Sequence, residues 1–267
     1  MLNQKKIYIL DGATGTAIQS YNLLEKDYTY KGYKYIGCNE VLNLTREDII
    51  LDIHKKYIEA GADIIETNTF NSNSISLKDY GLENESYILS FQGAKLAQEA
   101  IKNSKKDVLI AGSIGPTNKS ASIPTNKNIL TREVNFDELF KSYLIQAKGL
   151  ADGGADLFLI ETIFDGLNAK AAVMACEQVA KENCKKIPIM ISATVDKNGK
   201  ILSGQDIRSL ITSLNRDSII SFGLNCSFGA KDLIPLIENL DMATDKLLSI
   251  YPNAGLPNEN GEYDEKI

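Results

Sequence analysis

Seven nearly continuous apolar runs alternate with helical stretches, and six of the runs end in polar or glycine-rich signatures. Continuous rather than alternating apolarity is the pattern of strands buried on both faces, so the sequence predicts an α/β fold built on a parallel sheet. Regular β–α alternation with right-handed crossovers leaves a (β/α)8 TIM barrel or a doubly wound open sheet. Polar residues at the C-terminal ends of the runs favour the barrel, in which loops from one rim build one site. A length of 267 residues suits one such barrel, and a single domain over residues 1–267 is the expectation.

The strand-like runs are "KIYIL" (6–10), "ADIIET" (62–67), "DVLIAGS" (107–113), "ADLFLIET" (155–162), "IPIMISATV" (187–195), "SIISFGLN" (218–225) and "LLSIYP" (247–252). The stretches 46–61, 85–104, 136–154, 164–182, 206–215 and 230–241 read as the intervening helices. In the first of these, Thr45 followed three residues later by Asp48 resembles a capping box, and Gly61 ends the helix. The tyrosine-rich linker 20–44 is long for a βα connection and reads as a lid or rim segment. Asp63 and Asp156, each in a "GAD" triplet, are expected as caps at strand entrances on the opposite rim. Beyond residue 252 the sequence is rich in Gly, Pro, Asn and charge, with no apolar run, so an eighth strand is missing from the pattern and the barrel reads as C-terminally truncated.

Hydrophobic residues at 43% and charged ones at 24% exclude a wholly disordered or fibrous chain. A net charge of −6 without a Lys/Arg stripe argues against nucleic acid as a partner. The N-terminus shows no signal-peptide pattern and no apolar run reaches about 18 residues, so a cytoplasmic protein without a membrane partner is expected. Cys38, Cys176, Cys184 and Cys226 are scattered without a CxxC pair and read as reduced thiols. His54 is the single histidine, which rules out a site built on several imidazoles.

The candidate chemistry lies at the strand ends. "DGATGT" puts the Asp11 carboxylate beside the approachable amides of Gly12 and Ala13, a combination suited to an amino acid's ammonium and carboxylate, although a tight βα turn explains the glycines equally well. It is not a Walker A loop, since the Gly-Lys-Ser/Thr ending is absent. Glu66 and Glu161 each follow an apolar strand and precede a threonine; a carboxylate there has to be paired, solvated or ligand-bound, and a salt bridge or helix cap is the bland alternative. Cys226, in "GLNCSFG", is by default a packed small hydrophobe and otherwise a metal-held sulfur. None of these strand-like runs ends in lysine, which speaks against a Schiff-base aldolase.

The ordered series "DGATGT", "GCNEVLNLTREDII", "GADIIETNTFN", "AGSIGPT", "DLFLIETIFD", "LSGQ" and "GLNC" resembles the homocysteine S-methyltransferase family over about residues 6–255, and is most similar to the homocysteine-binding N-terminal domain of cobalamin-dependent methionine synthase. The resemblance implies a (β/α)8 barrel that transfers a methyl group to the homocysteine thiol, giving methionine. It implies zinc held by three cysteines, one in the "NC" motif, matched by Cys226, and an adjacent pair after the eighth strand, which has no counterpart in this sequence. Cys226 is accordingly the expected catalytic and metal-binding residue of an incomplete zinc site. By the same resemblance Asp11 and Glu161 would pair with the substrate ammonium, Gly12 and Ala13 would receive its carboxylate, Asn225 would support the metal ligand, and Glu66, Thr67, Asn68 and Phe70 would shape the methyl-donor side. The donor implied is methylcobalamin on a separate domain, recharged from methyltetrahydrofolate, with betaine or S-methylmethionine used directly by other relatives. Alternatives are an amino-acid-binding fragment without activity and an inactive shortened paralogue. The chain alone is expected to be inactive and to hold zinc weakly or not at all.

Overall fold

The architecture is given by a computed structural model that describes residues 2–3, 5–102, 104–124 and 131–253. Helix α1 (Thr14–Gln19) leads into a two-residue antiparallel hairpin, β1 (Thr29–Tyr30) with β2 (Tyr33–Lys34), and then α2 (Leu42–Thr45) and α3 (Glu47–Ala60). The repeating part follows as β3 (Ile64–Glu66), α4 (Ser74–Leu77), α5 (Ser86–Ile101), β4 (Leu109–Ile114), α6 (Phe136–Gly153), β5 (Leu157–Ile163) and α7 (Gly166–Glu182). It ends with β6 (Ile189–Ala193), α8 (Ile207–Leu214), β7 (Ile219–Gly229), α9 (Ala230–Asp241) and β8 (Leu247–Asn253). Strands β3 to β8 form one parallel sheet in sequential order, curled into a half-barrel flanked by helices.

Alternate side chains of each strand go to opposite faces, and β4 to β6 are largely buried on both, whereas β8 is partly exposed along its length. Phe158 and Ile160 of β5 pack outward with Tyr143 and Leu150 of α6 and Ala172 of α7, whereas Leu157 and Leu159 pack inward with Ile64 of β3 and Met190 of β6. Caps fix the helix starts: Asn135 and Glu138 form a reciprocal capping box on α6, and Asp165 and Asp206 cap α7 and α8. Asp63 and Asp156 sit as expected at strand entrances, where each accepts a backbone N–H from a neighbouring segment, Ile9 at 2.9 Å and Ile110 at 2.8 Å.

Two expectations are corrected. The run 6–10 does not form a strand: only Leu10 bridges to Ile64, and Ile7 and Ile9 are 86% and 55% exposed. The segment is held from the β3 side, where the Asp63 and Ile64 N–H groups donate to the Ile9 carbonyl and the Asp11 N–H donates to the Ile64 carbonyl. Thr45 is not the cap of α3, because its hydroxyl donates instead to the Asp27 carbonyl at 2.6 Å and the cap position belongs to Arg46. Gly61 does close α3, at φ +110°. The curled sheet leaves a cleft of about 530 Å³ between segment 6–12 and β8, floored by Ile64, Met190 and Ser221. The expected absence of an eighth strand concerns residues 254–267, which lie outside the described residues. No helix among the described residues is long and apolar enough to cross a membrane.

Candidate active site

The C-terminal ends of β3 to β8 and the segment after Leu10 surround one cavity of about 270 Å³. Gly12, Ala13, Glu66, Thr67, Asn68, Phe70, Glu161, Asn225 and Cys226 all line it, so nine positions singled out in the sequence converge. Asp11 does not line this space; it opens on the adjoining cleft, which shares Leu10, Gly12, Ser249, Ile250 and Tyr251 with the cavity. The lining contains three carboxylates, Glu40, Glu66 and Glu161, and no Lys, Arg or His among the described residues.

Asp11 is placed by the backbone: its N–H donates to the Ile64 carbonyl at 3.0 Å, and its Oδ2 accepts the Glu66 N–H at 2.8 Å. Its Oδ1 is buried and takes no hydrogen bond from the described residues. Burial pushes the carboxyl up to about 8, with the nearby Glu161 charge adding to the effect and the Glu66 N–H opposing it. Glu161 accepts from Ser113 Oγ at 2.6 Å and is raised by burial to about 7. Glu66 is held well above the usual carboxylate range, by burial first and then by the charges of Glu161 and Asp11. Three acids that cannot all ionise side by side without a counter-charge make a receptor for a cation.

Cys226 sits on β7 with its backbone at φ +52°, a left-handed conformation that turns the side chain out of the strand and onto the cavity. Asn225 Nδ2 donates to its sulfur at 3.3 Å. Burial and then the Glu161 charge raise the thiol above its ordinary range. The other cysteines are elsewhere: Cys38 is buried within the linker, against Leu77, Leu82 and Leu89, Cys176 is buried on α7, and Cys184 is exposed beside the separate groove at the strand entrances. Among the described residues no group of three or more His, Cys, Asp or Glu side chains is placed to hold a metal ion. These residues therefore offer zinc one sulfur and do not close a tetrahedral site around it.

Two of the predicted contact residues are committed to the scaffold. Thr67 Oγ1 pairs with Thr69 Oγ1 at 2.6 Å and accepts the Ser113 N–H at 3.0 Å. Asn68 Nδ2 donates to the Asn39 carbonyl and to Asn43 Oδ1, tying the loop after β3 to the linker. Gly12 is required by space: an added Cβ would lie 2.6 Å from the Tyr57 ring.

Among the lining residues that sequence reasoning missed, Glu40 and Tyr251 carry ionisable groups. Glu40, 3% exposed, accepts the Asn71 N–H at 2.9 Å and the Cys38 thiol at 3.6 Å; the signal was the one charged residue inside the "CNEVLNL" stretch. Tyr251 comes from β8, and its hydroxyl is pushed up by burial and by Glu66 and Asp11. It reads in the sequence as one more apolar residue of a strand.

The homocysteine S-methyltransferase family model matches residues 8–267. Among solved structures, the oxidized form of the homocysteine methyltransferase MmuM from Escherichia coli aligns with a TM-score of 0.72 at 20% identity, covering 92% of this chain and 82% of that one. The metallated form of the same enzyme gives 0.72 at 19% identity, with 94% and 85% covered. At such identity the structural likeness speaks for the fold. The family match spans nearly the whole chain and includes every strand end that builds the cavity: the chain belongs to the homocysteine S-methyltransferase family.

Proposed function

We propose that this chain transfers a methyl group to the thiol of homocysteine, yielding methionine. The observation that carries the reading is the cavity itself: it is of amino-acid size, rich in buried carboxyls, without a basic side chain among the described residues, and has a cysteine sulfur on its wall. The homocysteine ammonium would pair with Glu161 in the cavity and meet Asp11 where the cavity adjoins the neighbouring cleft at Gly12 and Tyr251, its charge restoring their ionisation, and the amides of Gly12 and Ala13 would meet its carboxylate. Ser113 holds Glu161 from the far side and limits its rotation. The substrate sulfur, carried toward Cys226, gives up its proton to solvent and attacks the methyl carbon; the new C–S bond forms as the methyl–donor bond breaks, and that bond's electron pair leaves with the donor.

Zinc belongs to this reading through Cys226, and when bound it would supply the substrate thiolate by lowering the thiol pKa. The donor proposed is methylcobalamin presented by another domain. A cavity of about 270 Å³ has no room for a corrinoid, so the methyl group would arrive at the mouth lined by Asn68 and Phe70. A second reading, binding of the amino acid without transfer, is favoured by the single sulfur that the described residues place in the cavity wall.

The test is methionine formation from L-homocysteine with methylcobalamin, S-methylmethionine or betaine in separate reactions, beside calorimetric titration with homocysteine and metal analysis of wild type and Cys226→Ser. Binding and turnover support transfer, binding without turnover under every donor supports the second reading, and absence of binding defeats both. Zinc that survives Cys226→Ser undiminished would remove Cys226 from the metal site.

A further inference from the structure

Two non-glycine residues at the cavity have left-handed backbones: Cys226, which lines it, at φ +52°, and Thr162, next in sequence to the lining residue Glu161, at φ +56°. For a β-branched residue that conformation is rare and persists only where its surroundings over-determine it. Thr162 follows Glu161 within β5, at the point where the register between β5 and β6 shifts, between Ile160 and Ile163. Cys226 follows Asn225 in β7, where the register with β8 shifts next. The two irregularities are on strands separated by β6, and each falls beside a group that the proposed reaction uses.

One side chain joins them. Asn225, 3% exposed, accepts at Oδ1 from the Thr162 N–H at 3.0 Å and from Ser192 Oγ of β6 at 2.7 Å. Its Nδ2 donates to Thr162 Oγ1 at 2.7 Å and to Cys226 Sγ at 3.3 Å. Both acceptor and both donor positions of the amide are used, and because a backbone N–H can only donate, the orientation of the amide is fixed. Cys226 is further held by the Thr194 hydroxyl, which donates to its carbonyl at 3.4 Å.

We propose that Asn225 is a positioning residue: its carboxamide clamps Thr162 from both main chain and side chain, and so fixes the Glu161 carboxylate and the Cys226 sulfur in a single arrangement across three strands. The two ends of the substrate, ammonium and sulfur, are thereby read at a set separation by one buried amide. This inference rests on the methyl-transfer reading for what the two ends bind, while the clamp itself is a statement about the chain alone.

The experiment uses the whole chain and two readouts: the affinity for L-homocysteine by calorimetry, and the alkylation of Cys226 by iodoacetamide, read by mass spectrometry relative to the exposed Cys184 on the opposite rim. Asn225→Ala should weaken homocysteine by ten-fold or more and alter the Cys226 to Cys184 rate ratio at least three-fold. Thr162→Val, which removes only the hydroxyl, should move both quantities the same way, and Thr162→Ser, which restores it, should bring both to within two-fold of wild type. In the double variant the loss should not exceed that of Asn225→Ala by more than two-fold, since both changes break the same clamp. Additive losses, a Thr162→Ser variant as impaired as Thr162→Val, or an effect on only one readout would overturn the proposal. Should Asn225→Ala fail to fold, the valine–serine pair decides by itself. If wild type does not bind homocysteine, the function reading fails, and the alkylation ratios still decide the clamp.

Discussion

Replacing Asp11 by Asn should move stability progressively toward the variant as the pH rises. Asp11 is 8% exposed, one of its oxygens is unpartnered among the described residues, and its carboxyl is pushed up to about 8 by burial. The unfolded chain ionises the same group near its ordinary value of 3.8. Between these limits the folded state keeps a proton that the unfolded state has lost, so the group's stabilising contribution is fully present below about 4 and is lost as the pH climbs through about 8. From pH 5 to pH 8 the slope of about 1.36 kcal/mol per unit amounts to about 4 kcal/mol, an upper figure because Glu66 and Glu161 share the same repulsion. Asparagine keeps an acceptor for the Glu66 N–H and has no charge to desolvate; its buried NH2 group adds a pH-independent penalty of about 1–3 kcal/mol. Urea denaturation of wild type and Asp11→Asn at pH 5, 6, 7 and 8 should therefore give a stability difference that moves toward the variant by several kcal/mol across the series. A difference flat to within 1 kcal/mol would mean that Asp11 is ionised in the free protein, and the picture of a site waiting for a cation would fall.

The remaining outcomes concern single contacts. Glu161→Gln should weaken homocysteine about 100-fold or more by removing one of the two charges proposed for its ammonium, read by calorimetry; an unchanged affinity would exclude Glu161 from the ammonium site. Gly115→Ala places a Cβ 2.7 Å from the Phe70 carbonyl, which accepts the Gly115 N–H at 2.9 Å, so the loop after β3 must shift at a cost of about 1–3 kcal/mol in urea denaturation. Asn135→Ala removes the capping box of α6 and should lower stability by about 1 kcal/mol without changing homocysteine affinity.

What was legible in the sequence follows from how local each signal is. Strands β3 to β8 announce themselves because a strand buried on both faces has no polar alternation to blur it, and the six sheet strands coincide with six of the seven predicted runs. The first run carries the same composition, yet whether it pairs depends on neighbours that composition does not specify, and only Leu10 makes a bridge. Site residues directly after apolar runs were found for the same local reason. Glu40 and Tyr251 were not, since the first enters the cavity only because the linker folds back over the loop after β3, and the second only because the sheet curls. Thr45 had the right spacing for a cap, but the Asp27 carbonyl, distant in sequence, claims its hydroxyl.

The surplus of acid around the cavity also fixes what must happen to protons when an amino acid enters. Near pH 6.5 the free protein holds protons on Asp11 and Glu161, whose values stand at about 8 and about 7. An arriving ammonium is stabilised only by an ionised carboxylate, so at least part of one proton must leave on binding, and affinity should rise with pH until both groups are ionised. Homocysteine would blur this measurement, because its own thiol can release a proton. Methionine has the same ammonium and carboxylate and a thioether with nothing to lose. Titrating methionine at pH 6.5 in buffers of different ionisation enthalpy should therefore reveal a net proton release, which Asp11→Asn and Glu161→Gln each reduce. Binding without proton exchange would show that the ammonium is met by groups already ionised, and the roles given to Asp11 and Glu161 would have to pass to other residues.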